Sequence, residues 1–471
     1  MAPSAPNFRF IDLFSGIGGF HHALSASEFG GECVMASDVD ESCLSVYRST
    51  WPSMPKGSIR GDIRELTLNK DGTDRPLAEI NGLVPDHDVL CAGFPCQPFS
   101  KSGTQLGTLD STRGTLFFDI ARIVQAKQPS YLILENVRNL AGPRHQQTWA
   151  TIIATLRELG YVVSDEPLVL SPHLLPPELG GRPQSRDRVF ILARRAKARL
   201  QEDPGLRIPR NPVASWSPQQ WNIEDWLIDD ALISNVENYR LRQEETAWLD
   251  AWQAFIQGIT SDDLPGFPIW VDAFTDNPVT HASMPKWKVD FLRKNSQFYV
   301  KHRRFIRQWL RKSWIPGLSY RVSDFPASRR KFEWQARGAQ PSREHRDLWA
   351  LTIHFRPSGI RVKPATYLPA LVAITQTSII GTRRRRITPL EAARLQGIPD
   401  HVYQNSGIDD AVAYRQLGNG VNVGIVKYVA AHLFANGGDM WGREIYEATA
   451  LRLKSDQGHF GGDPPREEDA A

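Results

Sequence analysis

Cysteine is scarce in this chain: Cys33, Cys43, Cys91 and Cys96 are the only four in 471 residues. No two form a C-x-x-C pair, which sets aside a zinc knuckle and a thioredoxin-like dithiol. No cluster of metal ligands stands out, so no metal is expected. No apolar run is long enough to span a bilayer. The stretch from Met1 to Phe8 lacks the basic-then-apolar pattern of a secretory signal. Together these absences point to the cytoplasm and to no membrane partner. There disulfides are rare, so each cysteine is either a small buried hydrophobe or a reactive thiol. Charge of one sign is also lacking overall, the net value being +4. The whole-chain balance therefore does not announce a polyanionic partner.

What is present is a soluble composition, 41% hydrophobic and 23% charged, on a chain long enough for two domains. Short apolar runs alternate with helical stretches over the first two hundred residues: Phe10 to Phe14, Cys33 to Ala36, Val89 to Ala92, Tyr131 to Leu134 and Val189 to Leu192. The alternation predicts an α/β fold with a doubly wound, mainly parallel sheet and ligands at the carboxyl ends of its strands. We expect a catalytic and cofactor-binding domain over 1–195. A second, smaller domain should occupy 196–411, where tryptophan and proline become frequent and strand alternation fades. A C-terminal segment, 412–456, should return to the first domain and form a helix between Tyr414 and Phe434. The tail 457–471, rich in Gly, Pro, Asp and Glu, reads as disordered.

Charge is uneven along the chain. Ten Lys or Arg fall between Lys286 and Lys312, against one Asp290, and Arg383 to Arg386 make a second basic run. Either run alone is ordinarily a solvated face. The aromatics threaded through the first (Trp287, Phe291, Phe298, Tyr299, Phe305, Trp309 and Trp314) fit a nucleic-acid surface and a helix core stripe equally well.

The residues that can carry chemistry lie at strand ends. Phe14-Ser-Gly16-Ile17-Gly-Gly19 is a glycine-rich turn without the spacing of a dinucleotide fingerprint. Asp38 follows the second strand, placed to accept from ribose hydroxyls. Asp62 can accept from an adenine amino group while Ile63 packs on the ring. Each acid alone is better read as a loop carboxylate or a helix cap, but the three features in this order describe a nucleoside pocket. Cys96 sits between Pro95 and Pro98 just past a strand, an awkward place for a core thiol and a suitable one for a nucleophile. Glu135 ends an apolar strand, where partial burial raises a carboxyl pKa and suits it to proton donation. Arg186 and Arg188 share a face if their segment is extended. Alone, that pair is no more than a surface ion-pairing site.

In combination these residues resemble the DNA (cytosine-5) methyltransferases, bacterial restriction–modification type. Phe10 to Phe20 resembles the cofactor loop, Asp38-Val39-Asp40 the ribose motif and Gly61-Asp62-Ile63 the adenine motif. Gly93-Phe94-Pro95-Cys96-Gln97 resembles the nucleophile motif, Glu135-Asn136-Val137 the acid motif and Gln184-x-Arg186-x-Arg188 the arginine motif. Arg113 to Phe118, Arg386 to Gly397 and Gln416 to Val421 match three further motifs in order. No match covers roughly Lys197 to Tyr367, where the family carries its target-recognition region. Two departures are Val39, where an aromatic is common, and Gly420, where a serine is.

The resemblance implies an S-adenosylmethionine-dependent methyltransferase fold and methyl transfer to C5 of a flipped-out cytosine in duplex DNA. Cys96 would attack C6, Glu135 would engage N3, and Arg188, supported by Arg186, would hold the base oxygen and local phosphate. The cofactor would be held by Phe14, Gly16, Ile17, Gly19, Asp38, Val39, Asp62, Ile63, Pro95, Leu116, Asn419 and Val421. Gln97, Ser100, Ser102 and Gln184 would contact DNA. The implied setting is a monomer paired functionally with a restriction endonuclease. The rivals are a tRNA cytosine methyltransferase, an NAD-dependent oxidoreductase and a non-catalytic DNA-binding protein on the same fold. The tRNA branch carries a Cys-Phe-Thr tripeptide that this middle region lacks. Glycine spacing argues against the oxidoreductase, and intact Cys96, Glu135 and Arg188 argue against the silent binder.

Overall fold

The computed structural model describes residues 7–95, 116–164, 166–196, 206, 208–209, 216–259, 264–340, 342–371, 377–404 and 406–435. Two compact units emerge, Met1–Pro218 with Ala393–Ala471, and Gln219–Ala392. Residues 393–411, expected in the second domain, fold with the first unit.

In the first unit, eight strands form one sheet: β1 (Phe8–Leu13), β2 (Gly31–Ser37), β3 (Ile59–Arg60), β4 (Val89–Gly93), β5 (Tyr131–Val137), β6 (Tyr161–Val163), β7 (Leu168–Leu170) and β9 (Arg188–Arg195). A two-residue strand, β8 (Gln184–Ser185), stands outside it. The order is β3-β2-β1-β4-β5-β9-β6, with β7 beside β9. Pairs from β3 to β5 are parallel, and β9 runs antiparallel to β5, β6 and β7. Strand order reverses between β1 and β4, which makes their carboxyl ends the topological switch point.

Helices α1 (Gly19–Leu24), α2 (Glu41–Thr50), α3 (Arg64–Thr67), α4 (Leu77–Leu83), α5 (Leu116–Lys127) and α6 (Gln146–Glu158) join these strands. Strand residues alternate between two cores. Ile11, Leu13, Leu132 and Leu134 join Ile120, Val124, Ile152 and Leu156 of α5 and α6 on one face. Tyr131, in register next to Leu132, turns the other way and meets Phe434 with ring centroids 5.2 Å apart. Burial on both faces explains why β1 and β5 read as near-continuous apolar runs.

The second unit holds α7 (Gln243–Gly258), α8 (Lys286–Arg311) and a six-stranded sheet. Its strands are β10 (Ile269–Trp270), β11 (Lys331–Trp334), β12 (Thr352–Arg356), β13 (Gly359–Lys363), β15 (Ile379–Ile380) and β16 (Arg385–Arg386), ordered β10-β11-β13-β12-β15-β16; β14 (Leu368–Pro369) lies off this path. Strands of two to five residues are too short to show a period, which is why the sequence loses its pattern here. The core is aromatic. Trp252 stacks on Phe332 at 4.6 Å and meets Trp309 at 5.2 Å, and its indole N–H donates to the Arg329 carbonyl at 3.0 Å.

The second basic run turns out to be structural. Arg385 is fully buried and pairs with Glu391 and Asp230, each at 2.8 Å. Arg386 pairs with buried Glu245 at 2.7 Å, Arg383 with Glu224 at 3.1 Å, and Arg384 lies over the Trp349 ring. Removing one member of a buried ionic group strands the others. Arg385→Met is therefore expected to destabilise this unit by about 3–5 kcal/mol. Thermal unfolding followed by near-ultraviolet circular dichroism would read this as a lower midpoint, and an unchanged midpoint would refute it.

The C-terminal pattern resolves into two helices rather than one, α10 (Asp410–Asn419) and α11 (Val423–Ala435), with α9 (Pro389–Gln396) before them. Asp409 caps α10 by accepting from the Ala411 and Val412 amides. Helix α11 is buried on nearly all sides and packs on α1. Glycine permits this: a Cβ at Gly424 would lie 1.8 Å from the Gly180 carbonyl oxygen, and one at Gly19 would lie 2.6 Å from Val421.

Candidate active site

A cavity of about 470 Å³ opens at the switch point of the first unit, within the range of small-molecule sites. Loops leaving β1, β2, β3, β4 and β5 line it, together with Arg188 and the Gln416–Val421 stretch.

The β1 loop begins with strain. Phe14 has φ 56°, a left-handed backbone that a bulky side chain rarely adopts, and Gly16 follows at φ 53°. The bend brings the Gly16 amide to Asp38 Oδ2, to which it donates at 2.8 Å, while the Asp40 amide donates to Asp38 Oδ1 at 2.8 Å. One carboxylate thus ties the loops after β1 and β2. Each of its oxygens keeps a second acceptor position. Burial raises the Asp38 pKa against these two amides. Beside it Val39 is 74% exposed, an apolar side chain left open at the cavity rim.

Asp62 follows β3 just ahead of α3 and accepts from the Arg64 amide at 2.9 Å. The Arg64 guanidinium pairs with it and holds its pKa below the ordinary carboxylate value. Ile63 is buried and Leu116, at the start of α5, closes another side.

Gly93, Phe94 and Pro95 leave β4 along the cavity wall. Asn136, buried beside them, donates from Nδ2 to the Phe94 carbonyl at 2.8 Å and accepts from the Val137 amide. Sequence reasoning places Asn136 within a motif and assigns it no task. Arg64, Gln416, Gly418 and Gly420 also line the cavity and were likewise unassigned.

Glu135 is buried, and Arg188 Nε stands 2.9 Å from its Oε1. Register explains the pairing. Arg188 lies opposite Val137 across the β5–β9 ladder, which makes Glu135 its diagonal neighbour on one face. Burial is the largest influence on Glu135 and raises its pKa despite the opposing pull of Arg188 and Arg186. A carboxyl of this kind holds its proton to higher pH than a free one and is suited to proton donation.

Twelve of the expected residues line this one cavity: Phe14, Gly16, Asp38, Val39, Asp62, Ile63, Pro95, Leu116, Glu135, Arg188, Asn419 and Val421. Ile17 and Gly19 lie behind the wall, Ile17 buried and Gly19 against Val421. Cys96, Gln97, Ser100 and Ser102 fall outside the described residues.

Two expectations need correction. Arg186 does not reach the cavity. It is buried and donates to the Gly418 and Gly420 carbonyls at 2.9 and 2.6 Å, and burial pulls its pKa down to about 9. Gln184, expected to contact DNA, is fully buried and accepts from Gln396 Nε2 at 2.9 Å. The cause is a break in the segment. Strand β8 ends at Ser185 and β9 starts at Arg188, so Gln184, Arg186 and Arg188 do not share one strand face. Among the described residues no three His, Cys, Asp or Glu side chains gather as a metal set, and no helix is long and apolar enough to cross a membrane.

A family model described as C-5 cytosine-specific DNA methylase matches residues 8–435. The chain belongs to the C-5 cytosine-specific DNA methylases. The type II methyltransferase M.AluI of Cellulosimicrobium cellulans is 39% identical to this methylase over 91% of the chain and 92% of its own length. M.BanI of Aneurinibacillus aneurinilyticus is 30% identical over 91% and 96%. Among solved structures, the S. pombe Dnmt2 methyltransferase covers 90% of this chain and 97% of its own, at 19% identity and a TM-score of 0.45. The methylase is thus a DNA (cytosine-5) methyltransferase on a doubly wound α/β sheet.

Proposed function

We propose that the chain transfers a methyl group from S-adenosylmethionine to C5 of a flipped-out cytosine in a specific duplex sequence. In this reading it works in the cytoplasm as a monomer and protects host DNA within a restriction–modification system. One observation carries the assignment of the site: the Glu135–Arg188 pair lies in the same cavity as Asp38, Asp62 and Pro95, the residue that precedes Cys96.

The cavity fits the cofactor on its own chemistry. Asp38 offers free lone pairs for ribose hydroxyls, Val39 and Ile63 offer apolar faces for an adenine ring, and Asp62 offers a carboxylate for its amino group. S-adenosylmethionine, when bound, supplies an electrophilic methyl on a sulfonium sulfur. The chain supplies the rest. Cys96 acts as the nucleophile on C6, Glu135 donates a hydrogen bond or proton at N3, and Arg188 orients Glu135 and the base oxygen. Asn136 fixes the Phe94 carbonyl and with it the start of the nucleophile loop. Gln97, Ser100 and Ser102 serve the DNA side.

Arg186 is a positioning residue in this scheme. Its two bonds hold the Gly418–Gly420 backbone, and that stretch walls the cofactor cavity. Arg186→Lys keeps the charge and loses the fork. It is expected to weaken S-adenosylhomocysteine binding about tenfold or more, equivalent to one charge-assisted hydrogen bond. Calorimetric titration would show this, with duplex affinity unchanged. A variant that loses DNA affinity instead would restore Arg186 to the DNA side.

Bisulfite sequencing of plasmid DNA from cells expressing the chain tests the proposal as a whole. Protected cytosines in one short motif, absent with Cys96→Ala, support it. No protection with the unaltered chain overturns it.

A further inference from the structure

The long basic helix of the second unit takes no part in this chemistry. Helix α8 carries its aromatics inward: Phe298, Tyr299 and Trp309 are buried with Ile306 and join the core. This settles most of the aromatic stripe as packing. The cations turn outward. Lys286, Lys288, Arg293, Lys294, Lys301, Arg304, Arg307 and Arg311 are all exposed, on both sides of a kink at His302. Lys286 and Arg293 stand seven residues apart before the kink and Arg304 and Arg311 seven apart after it, so each pair lies near one line along its own helical segment.

A solvated helix face ordinarily interleaves charges so that neighbours at i+3 and i+4 attract. Here Lys301, Arg304, Arg307 and Arg311 follow one another at those spacings with one sign. Each like-charged pair costs roughly 0.2–0.5 kcal/mol. Lys286 and Lys288 stand in the first turn, which has no acidic residue, and oppose the helix dipole. Among the described residues, Lys294 pairs with Asp290 and intermediate Arg303 with Asp276, but Arg293, Lys301, Arg304, Arg307 and Arg311 pair with no carboxylate. Arg307 also donates from Nε to the hydroxyl of buried Tyr299 at 3.0 Å, so it serves the packing as well as the outward face. At the amino end Trp287 is 58% exposed and meets Trp270 and Phe291 edge-on.

We propose that the outward face of α8 is a binding surface for the phosphate backbone of duplex DNA, independent of sequence. A regular polyanion relieves the repulsion among these like charges, and guanidinium groups suit phosphate oxygens. The inference rests on the reading of DNA as substrate and goes beyond it by naming where affinity, as opposed to sequence choice, resides.

The test compares the full chain with its R293Q/R304Q/R311Q variant, whose altered side chains are all exposed. Binding to labelled duplexes with and without the methylated motif is measured between about 50 and 200 mM salt. The variant should bind both duplexes more weakly by a similar factor. Its plot of log affinity against log salt should be shallower by about 0.9 for each phosphate that is no longer neutralised. Its affinity for S-adenosylhomocysteine should not move. Unchanged slope and affinity would overturn the proposal, as would weakening confined to the duplex carrying the motif. Failure of the unaltered chain to methylate DNA would instead strike the functional reading itself.

Discussion

Replacing Cys96 with alanine is expected to lower methyl transfer by roughly 10⁴-fold or more, because covalent attack on C6 is what makes C5 reactive. The same change at Cys91 is expected to leave the reaction intact. Cys91 is fully buried in β4, and desolvation, followed by the nearby Asp12 carboxyl, drives its thiol far above the ordinary value. Cys43 borders the cavity, yet burial and then Asp38 and Asp40 push it to about 12, so it too stays a thiol at neutral pH. Single-turnover rates on a duplex substrate separate the two variants. A duplex carrying 5-fluorocytosine gives a second readout. After methyl addition C5 has fluorine in place of the proton it must lose, so elimination stalls and the Cys96–C6 bond persists through denaturing electrophoresis. The unaltered chain and Cys91→Ala should form that adduct, and Cys96→Ala should not. An adduct in the Cys96→Ala sample would remove Cys96 from the mechanism.

The strand ends that carry this chemistry were legible in the sequence for a physical reason. A parallel sheet buried on both faces needs continuous apolar runs, and each run stops where a polar or glycine residue meets the cavity. Asp38, Pro95 and Glu135 lie at or just past the ends of such runs, and all three line the site; Asp62 also lines it but follows only the short, partly exposed β3. Orientation within irregular segments was not legible. The two-residue period that pairs Arg186 with Arg188 holds only inside a strand, and the chain leaves the strand at Ser185. Nor does a run of arginines reveal its partners. Arg383 to Arg386 look like a solvated face until Glu224, Asp230 and Glu245, distant in sequence, and Glu391, six residues past Arg385, close around them. The α8 aromatics remained ambiguous because a core stripe and a stacking surface share one spacing, and only burial separates them.

Glu135→Gln is expected to lower kcat by about 10² to 10⁴-fold, the usual weight of a positioned proton donor. Duplex and cofactor affinity should change little. The amide keeps the shape and can still accept from Arg188, so the loss isolates the proton. Two pH effects follow from the direction of the Glu135 shift. Its folded pKa is raised, and the protonated form is the donor, so activity should fall on the alkaline side as pH passes that value. The alkaline fall should vanish in the Gln variant. Stability runs in the same sense. A carboxyl whose folded pKa exceeds its unfolded value binds protons more tightly when folded, so its contribution is full below the ordinary glutamate value of 4.5 and is lost as pH rises through the folded value. Glutamine has no such loss. The melting temperature of Glu135→Gln relative to the unaltered chain should therefore climb as pH rises from the ordinary glutamate value of 4.5 through the raised folded value, even as activity collapses. A residue kept only for packing would lose stability and activity together, with no dependence on pH. The opposed movement of the two measurements is what marks a carboxyl buried for its chemistry.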